Sequence, residues 1–116
     1  MTLGLISGKH SDISVYDIGL NNCTLADGLA VARPSAFVGK IVQHILSGCF
    51  TVEDETLTKY QQLMRSTENL KIEPSAAAGF AGPNMVLDSD YCNRHNIIPG
   101  NVLHILWTTG GRYLPE

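Results

Sequence analysis

The apolar run Val102-Leu103-His104-Ile105-Leu106-Trp107-Thr108 constrains this chain more than any other stretch. Apolar residues fall on both of its faces, the pattern of an interior parallel strand covered on each side. An interior strand needs neighbours, and this chain supplies too few strands of its own to build such a sheet. The sequence therefore predicts an α/β fold whose missing sheet partners come from elsewhere. Directly after the run come Thr109, Gly110 and Gly111, where glycines let a backbone approach something closely.

With 116 residues, the chain is sized for one domain. Hydrophobic residues make up 44% and charged residues 16%, so apolar surface is in excess of what a small soluble domain carries, and some of it is expected to face a partner. The net charge of −3, without a cluster of Lys or Arg, gives no electrostatic footprint for nucleic acid or an anionic membrane. No run is long enough for a membrane span and the N-terminus lacks the pattern of a signal peptide, so the expected location is the cytoplasm. Cys23, Cys49 and Cys92 are an odd number at irregular spacing, which argues against a disulfide framework. Cys92 and His95 have metal-like spacing, with His10, His44 and His104 elsewhere, but no second local pair completes four ligands and no metal is expected.

Residues 1 to 34 read as a loop-rich segment with a short strand in "DISVYDI", where Ile13, Val15 and Ile18 share a face. From a Ser35 N-cap, Phe37, Val38, Ile41, Val42, Ile45 and Leu46 recur at helical spacing as far as a stop at Gly48. "TVEDE" announces a second helix capped by Thr51, with Asp54 at the third position and Leu57, Tyr60, Leu63 and Met64 as its apolar stripe. "LKIEPSAAAGFAGP" reads as a strand through Ile72, a break at Pro74, and a helix capped by Ser75 and kinked or ended by Pro83. The small residues of that helix would let it lie very close to whatever it packs on.

Four ordered segments carry a resemblance: "TLADGLAVARPS" (24–35), "FTVEDETL" (50–57), "IEPSAAAGFAGP" (72–83) and "LWTTGGRYLPE" (106–116). The chain resembles the pyridoxal-phosphate-dependent D-serine dehydratases of the fold-type-II family, and only their C-terminal part. The resemblance implies that residues 1–116 are a single C-terminal segment of a large, cofactor-binding domain of tryptophan-synthase-β-like architecture, with parallel strands and covering helices. The "ADG" and "EP(S/T)A" segments are shared across the wider family, whereas "AGxAGP" and "TGGxxxPE" point to the D-serine branch.

The implied chemistry is β-elimination of D-serine to pyruvate and ammonia with pyridoxal 5'-phosphate. In such enzymes a Ser or Thr hydroxyl just before the last pair of glycines bonds the pyridine nitrogen, and Thr109 holds that position. A neutral hydroxyl there makes the ring a weaker electron sink than an acid would, which favours expulsion of a β-hydroxyl over reprotonation. Gly110 and Gly111 would turn beneath the ring, and Glu73 resembles a carboxylate near it. Asp27 and Gly28 match a motif near the site without a chemical step, and Arg112 stands where a third glycine is common. The Schiff-base lysine and the phosphate loop are implied to lie upstream. Lys9, Lys40, Lys59 and Lys71 match no such context, so no catalytic residue is expected in this segment and the isolated chain is expected to be inactive. The implied partners are D-serine and the remainder of the same polypeptide. Two alternatives stand beside this reading: a piece of another fold-type-II serine or threonine dehydratase, and a non-catalytic module that self-associates through its apolar faces.

Overall fold

A computed structural model describes residues 1–109. The chain divides into two compact units, Met1–Thr51 and Val52–Glu116, each with its own buried residues.

The first unit holds helix α1 (Thr2–Ile6), single 3-10 turns at His10–Asp12, Val15–Ile18 and Asp27–Leu29, and helix α2 (Ala36–Val42). Its packing depends on two glycines. A Cβ on Gly4 would lie 2.6 Å from the His10 carbonyl oxygen and 2.8 Å from Pro34 Cγ, so only a residue without a side chain fits. Gly39 of α2 faces the His10 ring in the same way, at 3.3 Å from Nδ1 for an added Cβ. The strand expected in "DISVYDI" is replaced by a 3-10 turn. Ser14 and Asp17 form a capping box, with the Ser14 N–H donating to Asp17 Oδ2 at 2.8 Å and the Tyr16 N–H donating to Ser14 Oγ at 3.3 Å. These local bonds satisfy backbone donors that a strand would have offered to a neighbour. Gly19, at φ 78°, ends the turn. The N-cap expected at Ser35 is present, its Oγ accepting from the Val38 N–H at 3.4 Å, but α2 stops at Val42, well before Gly48. An open cavity of about 470 Å³ between α1 and the segment after α2 is lined by Leu5, Ile6, Gln43, Leu46, Gly48 and Cys49.

The second unit is built on α3 (Asp54–Glu68), followed by α4 (Pro74–Ala77), a 3-10 turn (Ala78–Ala81), α5 (Gly82–Leu87), α6 (Tyr91–Arg94) and a 3-10 turn (Pro99–Asn101). The N-cap of α3 is Glu53 rather than Thr51, and the helix ends at Asn69, whose φ of 52° lets the Leu70 N–H bond the Met64 carbonyl. Of the expected stripe, Leu57 is fully buried at 1% exposure, Tyr60 and Met64 are half-buried, and Leu63 is exposed. Small residues do let α4 and its continuation lie close to α3: Ala76, Ala77, Ala78 and Ala81 are buried, Ala77 completely. The Tyr60 and Phe80 rings complete the contact with centroids 6.0 Å apart. Pro74 starts α4 and Pro83 sits in the first turn of α5, so each proline opens a helix, as fits a residue without an N–H. Glu73, not Ser75, is the N-cap residue of α4.

The α/β architecture with parallel strands is not found: among the described residues there is no strand and no sheet. Strand is a property of a pair of segments, because the ladder bonds run between neighbours. Ile72 is buried, but its carbonyl accepts from Gln61 Nε2 of α3 at 2.8 Å, a side-chain bond in the place of a ladder bond. After Asn101 the backbone is extended at Val102 (φ −111°, ψ 146°), and residues 102–109 form no regular element.

Candidate functional site

Glu73 and Thr109 come together in the second unit. Pro74 holds Glu73 in an extended conformation (φ −73°, ψ 157°), because a residue before proline is pushed out of the helical region. The carboxylate thus lies at the mouth of α4 while the buried alanines that follow anchor the helix on α3. Thr109 arrives at the end of the extended segment, and its Oγ1 donates to Glu73 Oε1 at 3.2 Å. Thr109 is exposed and Glu73 half-buried. Both belong to the residues expected to face the cofactor; Gly110 and Gly111, the other two, lie outside the described residues, as does Arg112.

The sequence predicts Ser75 as a helix cap, whereas its Oγ is buried without a hydrogen-bond partner. The expected signal for a cap, a serine just ahead of an apolar run, was moved two residues by Pro74, which takes the first helical position. Ser75 therefore adds an unpaired donor and acceptor close in sequence to Glu73. Asp27 and Gly28 belong to the first unit, where Asp27 Oδ1 accepts from the Gly28 N–H at 2.7 Å and the Ala30 N–H bonds the Asp27 carbonyl at 3.0 Å. That is a self-contained turn. In the second unit Cys92 is buried and the His95 ring stacks on Tyr91 with centroids 4.3 Å apart, so each has a packing role. Among the described residues, no group of three or more His, Cys, Asp or Glu is arranged to hold a metal ion, and no helix is long and apolar enough to cross a membrane.

The arrangement at Thr109 defines what it can do. A hydroxyl has one proton and accepts through its oxygen. With the proton directed at Glu73, the Thr109 oxygen is oriented and keeps acceptor capacity for a third group.

No protein-family model matches the chain. Individual proteins do. The chain is 45% identical over 119 residues to the "Probable D-serine dehydratase" of Histophilus somni and 46% identical over 120 residues to that of Bacillus subtilis, in both cases over 100% of its own length. The "D-serine dehydratase" of Salmonella paratyphi A is 42% identical over 120 residues, again across the whole chain. The chain is similar throughout to the C-terminal part of D-serine dehydratases. It spans about a quarter of the length of these relatives, 27%, 26% and 27% respectively. A match over the whole chain extends the resemblance beyond the four quoted segments.

Proposed function

We propose that the chain is the C-terminal segment of the large, cofactor-binding domain of a cytoplasmic, pyridoxal-phosphate-dependent D-serine dehydratase, in which D-serine is converted to pyruvate and ammonia. The similarity to D-serine dehydratases from one end of the chain to the other carries this reading. When bound, the cofactor supplies an electron sink that weakens the Cα–H and Cβ–O bonds of the substrate. Thr109 is the residue of this chain assigned to its ring nitrogen, with Gly110 and Gly111 turning beneath the ring. Glu73 positions the Thr109 side chain, and the hydroxyl proton turns from Glu73 to the ring nitrogen when the cofactor binds; the 3.2 Å bond between them is the structural observation in favour.

Binding of the phosphate and the covalent link to the substrate amine are assigned to the remainder of a longer polypeptide. The isolated 116 residues are accordingly expected to form no pyruvate from D-serine. The test is a chimera in which this chain replaces the matching quarter of the Bacillus subtilis relative. D-serine-dependent pyruvate formation by the chimera, reduced at least 10-fold by Thr109→Val, is the expected result. Turnover of D-serine by the isolated chain, or a chimera that acts on L-serine or L-threonine and not on D-serine, overturns the reading.

A further inference from the structure

Ser75 breaks two local rules at once. Its Oγ is buried and has no hydrogen-bond partner among the described residues, although an unpaired buried hydroxyl is costly and most such groups in folded proteins are paired. The carbonyls that a helical serine ordinarily uses lie three and four residues back. Here they belong to Ile72 and Lys71, ahead of the start of α4 at Pro74, and the Ile72 carbonyl already accepts from Gln61 Nε2 at 2.8 Å. Alanine would suit the local fold better. It is the stronger helix former, brings no polar atom, and fills the next three positions, Ala76, Ala77 and Ala78, all of them buried. A residue at odds with its local structure is expected where function needs it.

We propose that Ser75 is a positioning residue for Glu73: it is the donor that takes over the Glu73 carboxylate when the Thr109 hydroxyl turns to a ligand. Glu73 is half-buried and accepts from Thr109 Oγ1 at 3.2 Å. In that state Thr109 is paired and Ser75 is idle. Once the Thr109 proton is directed at a ring nitrogen, a half-buried carboxylate is left a donor short, with an unused O–H two residues along the chain. Two residues span at most about 7 Å, so rotation about χ1 of Ser75 brings the two side chains within reach. Residues two apart on a helix do not face each other, but Glu73 precedes the helix with extended backbone (φ −73°, ψ 157°) and is free of that constraint. The exchange leaves no group unpaired: Ser75 gains an acceptor, Glu73 keeps a donor, and Thr109 serves the ring. The identity of the ligand rests on the proposed function, whereas the exchange of donors rests on the geometry of this chain.

Thr109→Val in this chain imitates the turned hydroxyl without any ligand, and the side-chain carboxyl 13C resonance of Glu73 reads which donor it has. Ser75→Ala is expected to leave that resonance unchanged in the parent chain and to shift it in the Thr109→Val chain, because only there does Ser75 serve Glu73. In the parent chain the same substitution is expected to raise the melting temperature, since it deletes an unpaired buried hydroxyl. A serine with a purely structural role would lower the melting temperature, and its effect on Glu73 would not depend on residue 109. In the chimera with the Bacillus subtilis relative, Ser75→Ala is expected to weaken pyridoxal 5'-phosphate binding by about 3-fold or more, the scale of one net hydrogen bond, as read from the cofactor absorbance during titration. Equal Glu73 resonances with and without the Ser75 hydroxyl in the Thr109→Val chain overturn the proposal. So does a Ser75→Ala chain that melts below the parent, or a chimera whose cofactor affinity is indifferent to the substitution. A chimera that forms no pyruvate from D-serine, with the exchange intact in the isolated chain, removes the proposed function and keeps Ser75 as the second donor to Glu73. Pyruvate formation without the exchange does the reverse.

Discussion

Thr109 Oγ1 donates a hydrogen bond to Glu73 Oε1 at 3.2 Å, joining residues 36 positions apart in the sequence. The pair lies at the solvent boundary, so the bond contributes little to folding, on the order of 1 kcal/mol or less. Its consequence is directional. A threonine hydroxyl rotates freely when nothing holds it, and the carboxylate selects the rotamer in which the oxygen lone pairs face away from Glu73.

Removing the hydroxyl tests this directly. Thr109→Val is expected to shift the side-chain carboxyl 13C resonance of Glu73, while Thr109→Ser leaves it close to its original position. Neither is expected to change the unfolding free energy by more than about 0.5 kcal/mol, as for surface substitutions in general. An unchanged Glu73 resonance in the valine variant would contradict the bond.

The second unit should depend heavily on Leu57, the largest of its fully buried side chains, in a core otherwise rich in alanine. Leu57→Ala leaves a cavity that alanine neighbours are too short to fill. The expected cost is about 2–5 kcal/mol, the range for large-to-small changes in packed cores. Denaturant unfolding followed by far-ultraviolet circular dichroism checks it, and a loss below about 1 kcal/mol would mean that α3 is not seated as described.

Gly4 plays the corresponding part in the first unit. An added methyl group would sit 2.6 Å from a backbone oxygen, which cannot rotate aside as a side chain does. Gly4→Ala, ordinarily favourable in a helix, is here expected to destabilise by about 1–3 kcal/mol through overpacking. A melting temperature equal to or above that of the parent chain would show that α1 and His10 are not in contact.

Local signals were the legible part of the fold. Ser35 caps α2, and the acidic residues of "TVEDE" mark the start of α3 within three positions of where it begins. The alanine run gave close packing on α3. Signals that compete over short distances were misread: Ser14 and Asp17 drew a strand-like alternation into a capped turn, and Pro74 displaced the cap from Ser75 to Glu73. Gly4 carried no pattern of its own, since the need for a side-chain-free residue arises from what lies opposite.

The sequence by itself determined where α2 and α3 begin, through capping and periodicity within a few residues, whereas α1 and α6 carried no such signal. It also determined the resemblance, because four motifs in order are a property of the chain and not of its shape. Tertiary structure alone decided that Glu73 and Thr109 touch, since nothing in residue spacing brings two positions together across an intervening set of helices. It decided likewise that Val102 to Thr108, strand-like in composition, does not become a strand here. A strand needs a second backbone to complete its hydrogen bonds, and among the described residues none is offered.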